Sequence, residues 1–357
     1  MHQHFMRSAI HEAQKGAGKT YKNPLVGAVI VKNERIIAFG AHLLFGEAHA
    51  EINAIHHCQS PQELLDSTLY VTLEPCNHHG KQPPCTQAII KAGIKKVVIG
   101  QLDPNPLVAG DGKVFLEKQG IKVIVGIEEA KCKALNPHYN YFHAHNRPYI
   151  TLKQAVTLDG KISLSNGVRY PITGQAALSR VRKERGNYQA IVIGSETALI
   201  DNPCLLPEKS AVFPPVRIIL DRRGRLLSHL ELNLFRDSTS PVWIFTEQEK
   251  VCALPPHVRI FSTARFSLAY FIDIMRAEGI QSLYIEGGAK VHDAFLAANL
   301  WDALISYIAP KLIGGNGPSA FSSARCAQAA KNLLDINIEQ LGNDLRIEGV
   351  RKPCLQD

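Results

Sequence analysis

The sequence predicts two consecutive α/β domains. Short β-prone apolar runs alternate with segments of helical apolar spacing along most of the chain. That alternation breaks once, in the aromatic- and histidine-rich stretch "NPHYNYFHAHNRPYIT". A length of 357 residues is long for one hydrophobic core and ample for two. The break sets the boundary, so domains 1–145 and 146–357 are expected.

In the first domain "FMRSAIHEAQ" has helical spacing and stops at Gly16. "LVGAVIVK" and "RIIAFGAHLL" are strands joined by the turn "NER". Then come a helix in "AHAEINAIHHC", a strand in "STLYVTLEPC", a helix in "CTQAIIKAG" and a strand in "IKKVVIGQLDP". The helix "GKVFLEKQG" and strand "IKVIVGI" complete the series. Such alternation predicts an α/β sandwich with largely parallel strands. After the break, strands are expected in "YITLKQAVT", "YQAIVIGSE", "VRIILD", "PVWIFT", "SLYIEGG" and "ALISYIAPKLI", with helices between several of them. "GAGKT" at Gly16 to Thr20 matches the end of a P-loop, but the motif's first glycine would fall on Ala13. It also follows a helix where a strand is required, so a helix C-cap and loop is the better assignment.

Composition narrows the function. Hydrophobic residues at 45% and charged residues at 20% describe an ordinary globular protein. The first residues contain no signal-like apolar run, and nowhere do about 18 apolar residues run together, so a cytoplasmic protein without membrane spans is expected. In that compartment the eight cysteines are no disulfide framework, and only Cys76 and Cys85 are close neighbours. A net charge of +8 suits nucleic acid or small phosphorylated substrates. No block of about five like charges is present, which argues against a dedicated nucleic-acid tail.

The stretch "EPCNHHGKQPPC" packs two cysteines and two histidines between Glu74 and Cys85, and "HAE" lies upstream at His49 to Glu51. H-x-E followed by P-C-x-x-C is the signature of zinc nucleobase deaminases, although eight residues here separate the two cysteines. His49, Cys76 and Cys85 offer one imidazole and two thiolates, the three-ligand set of a catalytic Zn²⁺ that keeps a position for water. Glu51, two residues past the histidine, is the candidate general base and acid, taking a proton from water and handing it to a departing amine. His78 and His79 are nearer the cysteines. His78 with both thiolates would make a structural knuckle, which leaves His49 and Glu51 without a role.

"NPLVGAVIV", "GEAHAE", "YVTLEPCNHHGKQPPC" and "DPNPLVAG" together resemble the deaminase half of the bifunctional riboflavin-biosynthesis deaminase/reductases. "TLDGKIS", "ITG", "DNP", "RIILD", "YIEGG" and "YIAPKLIGG" are similar to the reductase half of that family. The resemblance covers nearly the whole chain. It implies a zinc cytidine-deaminase-like α/β/α sandwich followed by a dihydrofolate-reductase-like α/β domain. It further implies hydrolysis of the 2-amino group of a diaminopyrimidinone ribosylamino 5′-phosphate, then NADPH-dependent reduction of the ribosyl chain to ribityl. Small phosphorylated pyrimidines are then the expected partners, without nucleic acid or membrane, and a homo-oligomer is expected.

In the deaminase pocket the resemblance implies substrate contacts at Asn23, His42, Lys81 and Asn105. Asn23 precedes a proline and is thereby kept out of helical conformation, so its amide can face a pyrimidine edge. In the reductase the implied cofactor contacts are Ala155, Pro171, Thr197, Asp201, Arg222, Gly287 and Gly288. Arg222 is placed to pair with the 2′-phosphate that distinguishes NADPH from NADH. The two glycines precede a helix whose first N–H groups can receive a pyrophosphate. Arg169, Arg185, Leu205 and Glu286 are the implied substrate contacts. Two departures stand out: Pro171 where the family usually carries tryptophan, and "DNPCLLPE" where it usually reads D-N-P-x-L-T-x-R. They raise the alternative of a deaminase with a reductase-like scaffold. A second alternative, a nucleic-acid-editing deaminase, calls for clustered aromatics near the zinc that this sequence lacks.

Overall fold

The computed structural model describes residues 1–78, 83–106, 108–165, 167–249, 253–321, 323 and 330–351. The chain divides into two compact units, Met1–Asn146 and Arg147–Asp357.

The first unit runs α1 (His2–Ala13), β1 (Gly27–Lys32), β2 (Arg35–Ala41), α2 (Ala50–His56), β3 (Thr68–Leu73), α3 (Cys85–Lys91), β4 (Lys96–Gln101), α4 (Asp111–Lys118), β5 (Lys122–Val125), α5 (Glu129–Leu135) and α6 (Pro137–His145). Its sheet has the order β2-β1-β3-β4-β5. Ala28, Ile30, Leu69, Val71, Val97 and Ile99 pack one face against α2, α3 and α4. Val29, Val31, Tyr70 and Val98 pack the other against α1 and Cys132 of α5, which makes an α/β/α sandwich. The expectation of largely parallel strands needs correction here, because β1 is antiparallel to both β2 and β3. The cause is local. Asn33 and Glu34 both take positive φ, 48° and 62°, and so close a two-residue hairpin that reverses the chain. Gly40 of β2 matters to the site: a Cβ there would lie 2.2 Å from the Ala50 carbonyl oxygen. The start of α2 therefore rests directly on β2, which fixes the height of His49 and Glu51.

The expected break at 136–148 holds structure of its own. Asn136 and Pro137 separate α5 from α6, with Pro137 at the first helical position where its missing N–H costs nothing.

The second unit runs β6 (Tyr149–Thr157), α7 (Gln175–Arg185), β7 (Ala190–Gly194), α8 (Ser195–Asp201), β8 (Val216–Leu220), α9 (Asn233–Arg236), β9 (Val242–Thr246), β10 (Val258–Ser262), α10 (Leu268–Ala277), β11 (Ser282–Ile285), α11 (Ala289–Ala297), β12 (Ala303–Ala309), β13 (Leu333–Leu341) and β14 (Asp344–Arg351). The sheet order is β10-β9-β8-β7-β11-β6-β12-β14-β13. Pairings are parallel up to β12 and antiparallel through β14 and β13. The first strand, β6, thus lies between two of the last, β11 and β12. The sequence reading did not anticipate β10 or the β13–β14 hairpin. Two apolar layers sandwich the sheet, one around Phe245, Phe271 and Trp301, the other around Tyr284, Tyr307 and Phe235. Within the second layer the buried Glu184 carboxylate accepts from Tyr284 Oη (2.6 Å), Tyr307 Oη (2.7 Å) and Arg346 Nε (2.6 Å). This ties α7 to β11, β12 and β14, and three donors keep the buried charge satisfied.

Candidate active site and metal centre

His49 immediately precedes α2 in extended conformation (φ −73°, ψ 165°), Cys76 follows β3, and Cys85 opens α3. His49 Nδ1 lies 3.5 Å from Cys76 Sγ and 3.4 Å from Cys85 Sγ. The three donor atoms all lie within 4.8 Å of one another. Tetrahedral zinc with Zn–S near 2.3 Å and Zn–N near 2.0–2.1 Å would hold sulfur and nitrogen about 3.6 Å apart, so the donor set fits the ion. Its charges fit as well. The Cys85 thiol donates to Cys76 and holds the Cys76 thiol down to about 4, while the same bond pushes Cys85 far up. Hydrogen bonding to Cys76 raises His49 to about 9. Protons thus crowd a place where two thiolates would neutralise a divalent cation. His78 lines the neighbouring cavity and does not join this cluster; His79 lies outside the described residues.

Glu51 sits in the first turn of α2 with 3% of its surface exposed. Burial pushes its carboxyl up to about 7, partly opposed by His49. Both line a cavity of about 440 Å³ with Asn23, His42 and Asn105. Buried His42 donates from Nδ1 to the Ala48 carbonyl (3.1 Å) and accepts at Nε2 from the Asn23 amide (3.1 Å). Burial lowers the His42 pKa, which keeps the neutral ring that this arrangement needs. The Asn23 side chain is thereby oriented, with its NH₂ toward His42. Lys81 lies outside the described residues.

Several pocket residues escaped the sequence reading. The Glu74 carboxylate accepts from the backbone N–H groups of Asp103 (3.2 Å), Gly110 (3.0 Å) and Lys113 (2.9 Å), so one buried acid organises the loop after β4 and the start of α4. Its position in "EPC", beside a ligand, was the only available signal. Asp103 accepts at Oδ1 from the Asn105 N–H (2.9 Å), and Tyr139 of α6 donates its hydroxyl to Asp103 Oδ1 (3.0 Å). His143 meets the Tyr139 ring edge-on at 4.5 Å. Part of the stretch that breaks the strand–helix alternation is thus a wall of the pocket, through Tyr139 and His143.

In the second unit the parallel strands put the ends of β6, β7, β8 and β11 along one edge, the usual ligand edge of such sheets. Arg185 of α7 makes a bidentate pair with Glu286 after β11 (2.6 and 3.0 Å) and donates to the Leu206 carbonyl (3.1 Å). Lys153 of β6, unassigned from sequence, has its ammonium 3.8 Å from Glu286. Burial would raise the Glu286 carboxyl, but Arg185 and Lys153 outweigh it and hold it below its usual range. Burial lowers Lys153 in spite of Glu286. The expected substrate contacts Arg185 and Glu286 are therefore partners of one another. Arg169 is exposed, 3.9 Å from Asp201, whose carboxyl burial raises. Leu205 takes a positive φ of 55° with its side chain in the core, so only its backbone can face a ligand.

Among the expected cofactor contacts, Gly288 precedes α11 and a Cβ there would meet only Thr197 Oγ1, at 3.7 Å. At Gly287 a Cβ would fall 2.6 Å from the Val291 Cβ, so that glycine is required by packing. Arg222 is two-thirds exposed and 3.5 Å from Glu247. The Pro171 carbonyl accepts from the Lys311 ammonium (3.0 Å), and Ala155 packs at the edge of the core.

Residues 1–101 match the cytidine and deoxycytidylate deaminase zinc-binding region, and residues 148–347 match the RibD C-terminal domain. The riboflavin biosynthesis protein RibD of Bacillus amyloliquefaciens is 40% identical, over 99% of this chain and 97% of its own length. The chain belongs to the RibD family. The RibD of Actinobacillus pleuropneumoniae is 41% identical over 97% of this chain and 94% of its own. Two solved structures agree. Acinetobacter baumannii RibD superposes with a TM-score of 0.86 at 34% identity, covering 99% of both chains. The diaminohydroxyphosphoribosylaminopyrimidine deaminase/5-amino-6-(5-phosphoribosylamino)uracil reductase of Thermotoga maritima gives 0.85 at 38%, also over 99% of both. As a RibD, the chain is a bifunctional deaminase and reductase of riboflavin biosynthesis with a zinc-binding deaminase domain. Among the described residues no helix is long and apolar enough to cross a membrane.

Proposed function

We propose that the first unit hydrolyses the 2-amino group of 2,5-diamino-6-ribosylamino-4(3H)-pyrimidinone 5′-phosphate, and that the second reduces the ribosyl chain of the product to ribityl with NADPH. The observation that carries the first step is the buried Glu51 beside the His49, Cys76 and Cys85 donor set, facing one cavity. His49, Cys76 and Cys85 would hold the zinc, which would supply Lewis acidity and lower the pKa of a nearby water toward neutral. Glu51 takes the proton of that water as its oxygen joins C2, and delivers it to the amine as the C2–N bond breaks and ammonia leaves. Asn23, held by His42, and Asn105, held by Asp103, present polar groups to the pyrimidine, and Lys81 is suited to the phosphate.

For the second step, the glycine turn before α11 supports a cofactor pyrophosphate, because backbone N–H groups at a helix start favour anions and no side chain at Gly288 blocks the approach. Ala155, Pro171, Thr197, Asp201, Arg222 and Gly287 complete the NADPH side in this reading. Arg169, Arg185, Leu205 and Glu286 form the substrate side. Incubation with the diaminopyrimidinone phosphate, with and without NADPH, tests both steps. Ammonia should appear in either case, and the nicotinamide absorbance should fall only when NADPH and substrate are both present. Ammonia without NADPH consumption would leave the second unit as a scaffold.

A cytoplasmic homo-oligomer with no nucleic-acid partner completes the proposal. The edge strand β13 exposes Leu334, Ile336 and Ile338, an apolar edge of the kind that pairs with another copy. Ile338→Lys should lower the mass found by sedimentation.

A further inference from the structure

The zinc ligands and Glu51 all lie within residues 1–101, the part shared with the wider deaminase family, yet the pocket is completed from beyond it. Asp103, Asn105 and Tyr139 come from the loop after β4 and from α6. They form one chain of hydrogen bonds: Tyr139 Oη donates to Asp103 Oδ1 (3.0 Å) and Oδ2 (3.3 Å), and Asp103 Oδ1 accepts from the Asn105 backbone N–H (2.9 Å). Glu74 anchors the same loop from below by accepting the Asp103 N–H (3.2 Å). We infer that Tyr139 is a positioning residue for the deaminase: through Asp103 it holds Asn105 in the attitude that meets the substrate.

The chemistry supports a division of labour. The Asp103 carboxylate is largely buried, and burial raises its carboxyl against the opposing bonds from Asn105 and Tyr139. A buried carboxylate that loses one of two local donors either rotates to find another or gains a proton. In both cases its grip on the Asn105 N–H weakens, and the loop carrying Asn105 loses its defined position. None of these hydrogen bonds ends on a metal ligand or on Glu51, so the proton transfer itself should be unaffected. Damage at Tyr139 should therefore fall on recognition of this particular pyrimidine, in keeping with its place outside the shared 1–101 segment.

The inference rests on the reading of Asn105 as a substrate contact, and a double-mutant cycle on the full-length zinc enzyme separates the two. Tyr139→Phe deletes the hydroxyl and keeps the ring that meets His143. It should raise the KM for the diaminopyrimidinone phosphate about tenfold, the scale of one hydrogen bond to a charged group, with kcat changed by less than about twofold. Zinc content should stay at the wild-type level. Asn105→Ala should raise KM at least as much, and adding Tyr139→Phe to it should raise KM no further. An unchanged KM in Tyr139→Phe, or full multiplication of the two effects in the double variant, overturns the positioning role while leaving Asn105 as a contact. An unchanged KM in Asn105→Ala overturns the contact and the positioning role together. A fall in kcat at constant KM in Tyr139→Phe overturns it too, since that would place Tyr139 in the chemical step.

Discussion

Replacing Glu51 with glutamine isolates the proton relay from everything else in the deaminase site. Glutamine has nearly the same shape, so the buried position is neither emptied nor overfilled, and His49, Cys76 and Cys85 remain in place. General acid–base groups contribute about 10²–10⁴-fold, and an amide can neither take nor return the proton, so kcat should fall by at least about 100-fold. Stability should move in the opposite direction. Burial raises the Glu51 carboxyl from 4.5 to about 7, a cost to the ionised form on the order of 3 kcal/mol. The sign follows from proton binding: between pH 4.5 and 7 the folded state holds the proton more firmly than the unfolded one, so metal-free wild type loses stability as pH rises through that window. The glutamine variant has no such loss and should unfold at higher denaturant than wild type at pH 8 when both are stripped of metal. Ammonia release, elemental zinc analysis and urea titrations at pH 5 and 8 make the full assay. Activity within a few-fold of wild type, with zinc retained, would refute Glu51 as the relay.

Three further outcomes are expected. Cys85→Ser should lose most of its zinc by elemental analysis, because a hydroxyl stays protonated and three ligands leave no spare, whereas His78→Ala should keep it. Arg222→Ala should weaken NADPH about tenfold in calorimetric titrations and leave NADH nearly unchanged; the exposed guanidinium, shared with Glu247, argues for the lower end of a charge-assisted bond. Gly288→Val should weaken both cofactors while the fold persists, since the nearest atom to the new Cβ is a threonine hydroxyl at 3.7 Å.

The metal centre was legible because its parts are short local words: H-A-E at a helix start and P-C at a strand end carry their chemistry in adjacent residues. Glu74, Asp103 and Tyr139 were not, since their meaning lies in hydrogen bonds between positions about 30 residues apart, which no periodicity records. The helix at 137–145 went unassigned for a related reason. Tyr139 and His143 there face the pocket, and α6 has no fully buried residue, so it carries no apolar stripe. The β13–β14 hairpin was visible in principle: "LLDINIEQL" alternates apolar and polar residues as a one-sided edge strand should. In the reductase the resemblance pointed to residues around the strand ends, but the mutual pairing of Arg185 with Glu286, and the arrival of Lys153 beside them, is a matter of tertiary structure that no sequence pattern records.

The place of β6 between β11 and β12 sets a timetable for synthesis. The first unit closes its sheet with neighbours near in sequence and can condense while the ribosome is still translating the second. β6 has no such neighbours: about 125 residues separate its end from the start of β11, roughly 6–25 s at 5–20 residues per second. For that interval a nine-residue strand with both edges open waits for partners. Arg346, which completes the charge on Glu184, emerges later still. The second unit is therefore the late-folding half of the molecule, and slowing translation after β6 should lower the yield of reductase before that of deaminase.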